Sequence, residues 1–277
     1  NEICREEKLL EFVYPKMSTA LEFIYDKKRL WERRTFDEDF LSIRVGHGNI
    51  PLMSDFNYPK RKIRMEEDKL LEDMYDVTEK KYTLKDAPVM LNLKKDYIIG
   101  ITGSRLRKLE LINNIIMQLV ITHSYDEVKL VLLIEEEDRE TFDYVRYLPH
   151  NWNNDKTIRF FCSNLSDIPP ISKYLNKRID EISDEKNGKT NQISYVIIAT
   201  NKKLYESIEC LKNIEQNDNY SNISIVAAFN GAPKESTKIL ESCSGTEYCL
   251  IDLYNSENQD ITFELDEASF ESKLSGM

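Results

Sequence analysis

Apolar residues recur along this chain with two periods, and the switches between them mark its elements. Near the N-terminus Leu10, Val13, Met17, Leu21 and Ile24 fall at steps of three and four, which predicts one helical face over residues 3–29. Pro15 interrupts that face, because proline disfavours helix at the residue before it, so a bend or break belongs near Tyr14. Two architectures satisfy the pattern: a helix packed on the domain, or a stalk leading to an upstream segment. Phe40, Ile43 and Val45 then mark a strand ended by Gly46, Gly48 and Pro51. Residues 55–87 are polar and mixed, with Leu70, Leu71, Met74 and Val77 on one side of a helix over 67–80. Pro88 opens a strand over 89–93, and the turn Lys94–Lys95–Asp96 joins it to the next strand, which reads as a hairpin.

From residue 96 onward the period alternates. Ile98, Ile99 and Ile101 make a short apolar strand, and Gly100 and Gly103 bracket a turn. Leu109, Ile112, Ile116, Leu119 and Val120 then form a helical face. Unbroken apolar runs at 128–134, 193–199, 223–228 and 248–253 read as buried strands, with a shorter strand at 158–161. Helices are expected over 139–148, 165–182 and 203–214. The fold class is therefore α/β, a mostly parallel sheet with helices on both faces.

Strand, glycine turn and helix at 96–120 is the layout of a phosphate-binding loop, in which backbone N–H groups and a helix N-terminus hold a polyphosphate. The chemistry of such a loop is G-x-x-x-x-G-K-[ST]. Counting from Gly100 through Gly103 and Ser104, Arg105 stands where the second glycine is needed. Leu106 stands in place of the lysine, and Arg107 in place of the magnesium-binding hydroxyl. The candidate magnesium-acid strand, 194–203, ends in Ala199, Thr200 and Asn201, without a carboxylate. Glu135, Glu136, Glu137 and Asp138 follow a different strand and read as a solvated helix start. Gly-Lys-Thr at 188–190 does not restore the motif, since Ser183 stands at the first glycine position and a strand follows. A lost lysine contact weakens nucleotide binding by roughly tenfold to a hundredfold, and one lost positioned charge costs about 10² to 10³ in rate. No catalytic residue, metal or cofactor is expected in this chain, only a vestigial site. Arg105 and Arg107 leave open a weak or regulated site in which they replace the lysine, although an arginine at 105 would fill space that only glycine leaves free.

Composition narrows the functions. The 277 residues are 41% hydrophobic and 31% charged with no run long enough to cross a bilayer, as expected of a soluble globular chain. The first residues are charged and lack a methionine, which suggests a piece of a longer protein and shows no signal peptide. A net charge of −11 argues against nucleic acid as a partner. Five scattered cysteines with no C-x-x-C pair make zinc unexpected and fit a reducing compartment. His47, His123 and His150 lie far apart and read as surface or internally satisfied residues. Arg29, Trp31, Arg33 and Arg34 crowd into RLWERR, which is either the cover of a core edge or an interface anchor.

One longer pattern is more specific. RLWERR followed by DEDFLSIRVGHGNIP, then DAPVMLNL, IGITGSRLRKLELINNIIMQL and HSYDEVKLVLL, occur in one order over nearly the whole chain. Together they resemble the FtsK/SpoIIIE-type ATPases of type VII secretion, the EssC (YukB) and EccC family. That resemblance implies a P-loop NTPase-like (RecA/FtsK-like) fold in the first module after two membrane helices. It implies a helical stalk at 1–34, a small β-containing connector at 35–95 and a degenerate ATPase-like domain at 96–277. It further implies a place on the cytoplasmic side of a bacterial membrane, with ATP and magnesium in downstream domains. Expected partners are those downstream ATPase domains, other subunits of a ring, other membrane components of the system and small helical secreted proteins. The role implied is structural or regulatory, with RLWERR as candidate contact surface. The alternatives are a weak ATPase and a substrate-binding module.

Overall fold

The structure, a computed structural model, describes residues 2–52, 83–184, 193–215, 222–254 and 260–266. The predicted helix at 67–80 and the Gly-Lys-Thr at 188–190 lie outside the described residues.

A ten-stranded sheet organises the described residues, in the order 83–92, 42–51, 261–264, 247–252, 238–242, 98–102, 223–227, 194–199, 128–133 and 161–162. Its parallel half is built from β3 (Ile98–Thr102), β4 (Val128–Leu133), β5 (Phe161–Cys162), β6 (Ser194–Ala199), β7 (Ile223–Ala227) and β8 (Lys238–Ser242). Period-two alternation sends their side chains to two cores. Ile99, Ile101, Leu130, Leu132, Val196 and Ile198 enter one. Ile98, Val131, Leu133, Tyr195 and Ile197 enter the other. Because both faces are covered, β3, β4, β6 and β7 read as largely apolar runs.

Helix α3 (Arg105–Thr122) contributes Leu111, Ile112, Ile115, Ile116 and Leu119 to the first core. Helices α4 (Ile168–Asp184), α5 (Lys202–Glu206) and α6 (Glu209–Glu215) cover the second face through residues such as Ile171, Leu175, Leu204 and Leu211. The N-terminal helix does break at Pro15, into α1 (Glu2–Val13) and α2 (Met17–Asp26). Both pieces are docked: Leu10, Met17, Ala20 and Phe23 are buried in the first core.

Beside the parallel half, β1 (Ser42–Pro51), β2 (Thr83–Asn92), β9 (Glu247–Asp252) and β10 (Ile261–Glu264) extend the sheet antiparallel. Three expectations need correction. The strand at 89–93 forms no hairpin with β3. It belongs to β2 and pairs with β1 from Ser42↔Asn92 to Pro51↔Thr83. Asn92 Oδ1 accepts from the N–H groups of Lys94 and Lys95, turning the chain into the sheet interior, where β3 finds parallel partners. The helix expected at 139–148 is a set of 3-10 turns at Glu136–Asp138, Asp143–Tyr147 and Pro149–Asn151. Phe142, Val145 and Leu148 recur every three residues, the 3-10 period. Finally, the helix at 203–214 divides at Ser207, whose hydroxyl donates to Lys203 O at 2.6 Å.

Candidate functional site

The loop strand β3 ends at Thr102 and α3 begins at Arg105, so only Gly103 and Ser104 lie between them. A phosphate loop needs a longer run of backbone N–H groups turned toward one point. Gly103 has φ of +123°, and a Cβ there would lie 2.7 Å from Ser242 Cβ, so the turn is pressed against the end of β8. Ser104 makes no side-chain cap. Leu106, at the lysine position, is 67% exposed.

The two arginines part company. Arg107 turns to the β8–β9 side, where it donates to Thr246 O and Glu110 Oε2 and stacks 4.3 Å from the Tyr248 ring centroid. Arg105 stays at the strand ends. Its Nε donates to Asp138 Oδ1 at 2.8 Å, and its Nη1 stands 2.9 Å from Glu137 Oε2. Asp138 is buried, its side chain 3% exposed. The reading of 135–138 as a solvated helix start holds for the exposed Glu135, Glu136 and Glu137 and fails for Asp138. Asp138 is the residue that sequence reasoning missed. The available signal was the complementary charge at Arg105 and the apolar Phe142 four residues on.

The end of β6 reaches the same place. Thr200 Oγ1 lies 3.4 Å from Asp138 Oδ2 and accepts from Glu135 N at 3.0 Å. Asn201 Oδ1 caps α5 by accepting from Leu204 N, while its Nδ2 donates to Glu135 Oε2 at 2.7 Å. Lys108, one turn into α3, donates to Ala228 O at 2.9 Å and Phe229 O at 3.2 Å after β7. Burial lowers its pKa, partly offset by Asp138. Arg105, Lys108, Glu135, Asp138, Thr200 and Phe229 line an opening of about 310 Å³ at the C-terminal ends of β3, β4, β6 and β7, where ligands of open α/β sheets bind. ATP with magnesium does not fit this donor set. The N–H cradle is closed, the cations are engaged, and the one buried carboxylate is bound by Arg105.

In RLWERR Arg33 is buried, Arg29 and Trp31 are partly buried and Arg34 is exposed. The segment caps two helices at once. A helix ends with carbonyls that lack intrahelical partners, at the negative end of its dipole. For α1 and the residue after it, Phe12 O accepts from Arg29 Nη2 at 2.8 Å and Val13 O from Arg33 Nη2 at 2.9 Å. Tyr14 O accepts from Arg44 Nη1 at 2.9 Å. For α3, Val120 O accepts from Trp31 Nε1 at 3.0 Å, Ile121 O from Trp31 N and Thr122 O from Arg33 N. Leu119 O takes the N–H of His123. Arg33 is 3% exposed and also binds Ser42 O and Asp39; Arg34 pairs with Glu127. Arg44 makes a buried fork to Asp266 at 2.7 and 2.8 Å. Lys27, Arg29 and Trp31 adopt positive φ, a conformation that costs about 1–2 kcal/mol per L residue and persists only where surroundings fix it.

His123 is satisfied inside this clamp. Leu41 N donates to its Nε2 at 2.9 Å, so its proton sits on Nδ1, 2.9 Å from Thr122 Oγ1. Burial, with Arg33 nearby, lowers its pKa to about 3. His150 Nε2 donates to His123 O at 2.9 Å, and burial lowers its pKa to about 4. His47 lies 3.3 Å from Asp266 and 3.6 Å from Asp86.

No protein-family model matches the chain. Curated relatives do. It is 22% identical over 285 residues to the ESX secretion system protein EccC of Geobacillus thermodenitrificans, which covers 98% of the chain and 19% of that protein. It is 24% identical over 254 residues to the type VII secretion system protein EssC of Staphylococcus aureus, covering 87% of the chain and 17% of that protein. Over nearly its whole length the chain is similar to proteins named EssC and EccC. It spans about a fifth of the length of these relatives. Solved structures agree in fold. The cytoplasmic domain of the Thermomonospora curvata type VII secretion ATPase EccC aligns with a TM-score of 0.56 at 11% identity, over 93% of the chain and 32% of that structure. EssC ATPases 2 and 3 from Geobacillus thermodenitrificans align at 0.51 and 9% identity, over 87% and 48%. The chain thus carries a mixed α/β, P-loop NTPase-like fold. No described helix is long and apolar enough to cross a membrane.

Proposed function

We propose that this chain is a non-catalytic, ATPase-like domain of a membrane-anchored type VII secretion motor. It links a membrane stalk to downstream ATPase modules and supports assembly. The observation that carries this reading is the two-residue turn between β3 and α3, with Arg105 paired to Asp138 where a nucleotide phosphate would sit. In this reading ATP and magnesium belong to the downstream modules. The chain sits on the cytoplasmic side of the membrane, its partners being those modules, other ring subunits, other membrane components and small helical secreted proteins. Within RLWERR the exposed Arg34 is the member open to a partner, since Arg29 and Arg33 are engaged with the end of α1.

Titration calorimetry with ATP and with ADP, each with magnesium, tests the reading. No saturable heat at millimolar nucleotide is expected, and micromolar binding overturns it. One observation favours a second reading, a regulated nucleotide site: Arg105, Lys108 and Lys202 line a single opening. If that reading holds, nucleotide binds and Arg105→Ala weakens it by about tenfold.

A further inference from the structure

A second opening, of about 340 Å³, lies beside β5 at the edge of the sheet and shares no lining residue with the opening at the loop. Arg139, Arg146 and Arg159 line it, against one carboxylate, Asp167. The three arginines arrive from separate stretches: the turns before and after Phe142, and the segment leading into β5. Two have a guanidinium face against a ring. Arg159 Cζ stands 4.4 Å from the Trp152 ring centroid, and Arg146 Cζ 5.6 Å from that of Phe161. A guanidinium held by its face keeps its planar edge of N–H donors for a ligand.

Those edges are lightly used. Arg139 gives Nη1 to Glu136 at 3.2 Å and Arg146 gives Nη1 to Asp143 at 2.9 Å. Both carboxylates are three residues away on the surface, and such screened pairs exchange readily for a better acceptor. Among the described residues Arg159 makes no ion pair, and its Nε is buried without a hydrogen-bond partner. A buried orphan donor is rare and costly, and it points to an acceptor that binds from outside. Ser163, which hydrogen-bonds Glu136, and Ser166 belong to the same lining.

We propose that this opening binds a small phosphate-class anion, pyrophosphate or a phosphate monoester, gripped by Arg159 with Arg139 and Arg146. Three forks from different directions suit a tetrahedral group with several oxygen faces, whereas one fork saturates a planar carboxylate. Asp167 opposes the ligand across the opening and keeps the affinity moderate. The proposal does not depend on the state of the loop between β3 and α3.

The test is calorimetric titration of the chain with sodium pyrophosphate at low ionic strength, with tryptophan emission followed in parallel. Arg159 lies on Trp152, so occupancy shifts that emission. One-site saturable binding is expected, weakening as salt rises. Arg159→Gln should weaken it by about tenfold or more, and Arg159→Lys, which keeps the charge but loses the fork, by about fivefold. Arg105→Gln should leave it unchanged. An unchanged melting temperature in the Arg159 variants separates lost binding from lost folding. The proposal is overturned by no saturable binding at millimolar pyrophosphate, or by equal affinity for glutarate. Binding that survives Arg159→Gln and Arg146→Gln but is lost in Arg105→Gln also overturns it.

Discussion

Arg33→Ala is the sharpest perturbation of the helix clamp. In the folded chain its guanidinium satisfies Val13 O, Ser42 O and Asp39, and its face lies 4.6 Å from the Tyr14 ring centroid. Truncation leaves two carbonyls and a carboxylate facing a void. Each stranded buried acceptor costs about 1–3 kcal/mol, so the total is on the order of 4 kcal/mol. In a chain this size that lowers the melting temperature by roughly 10 °C. The comparison with neighbouring arginines makes the argument discriminating. Arg44→Ala breaks a fully buried fork with Asp266 and belongs in the same range, about 3–5 kcal/mol. Arg29→Ala removes a partly exposed pair with Glu32 and a solvent-exposed bond to Phe12 O, and should cost about 1 kcal/mol. Urea unfolding gives the three free energies. Amide exchange at Trp31 and residue 33, which donate to α3 carbonyls, shows whether the clamp has opened. If Arg33→Ala costs no more than Arg29→Ala, the capping argument is wrong.

Two further expectations follow from buried groups. Gly103→Ala combines an unfavourable φ with a clash against Ser242, and should destabilise by about 2–4 kcal/mol in the same unfolding assay, whereas Gly245→Ala, with open space around it, should cost only about 1–2 kcal/mol. His123 and His150 stay neutral in the fold, with pKa values lowered to about 3 and about 4. The unfolded chain takes up their protons first, so stability is fully present above about pH 6.5 and declines as pH falls toward 4. Each histidine contributes a slope approaching about 1.4 kcal/mol per pH unit in that window. Replacing His150 with Asn should flatten the dependence, and an unchanged slope would contradict the assignment.

The parallel half of the sheet was legible because each of its long strands is buried on both faces, which writes a largely apolar run into the sequence. Pro15 and the face of α3 were legible for similar reasons, one steric and one periodic. What stayed hidden is half-buried or short. Strand β8, KILES, and strand β10, ITFE, bury few side chains and carry no run to notice. At the site, the missing lysine, hydroxyl and acid could be counted along the chain. Asp138 could not, because its burial is decided by Arg105, thirty-three residues away. RLWERR left two readings open, the cover of a core edge and an interface anchor. A cluster of arginines around a tryptophan is the composition of an interface, and here the partners it meets are the ends of the chain's own helices.

The clamp and the closed loop follow one electrostatic logic. In a working phosphate loop, cations at the C-terminal edge of the sheet are left for the ligand's oxygens. In this chain they turn to internal acceptors. Lys108 binds the two carbonyls after β7, Arg107 binds Thr246 O, and Arg105 binds Asp138. Arg29, Arg33 and Arg44 do the same at the end of α1. Each acceptor is a fixed partial or full charge of the chain itself. On the proposed non-catalytic reading, removing Asp138 alone would not create a nucleotide site, since Gly103 would still hold a two-residue turn against β8 and Lys108 would still face carbonyls. On that reading phosphate binding at this edge requires lengthening the turn, and the charges follow from that geometry.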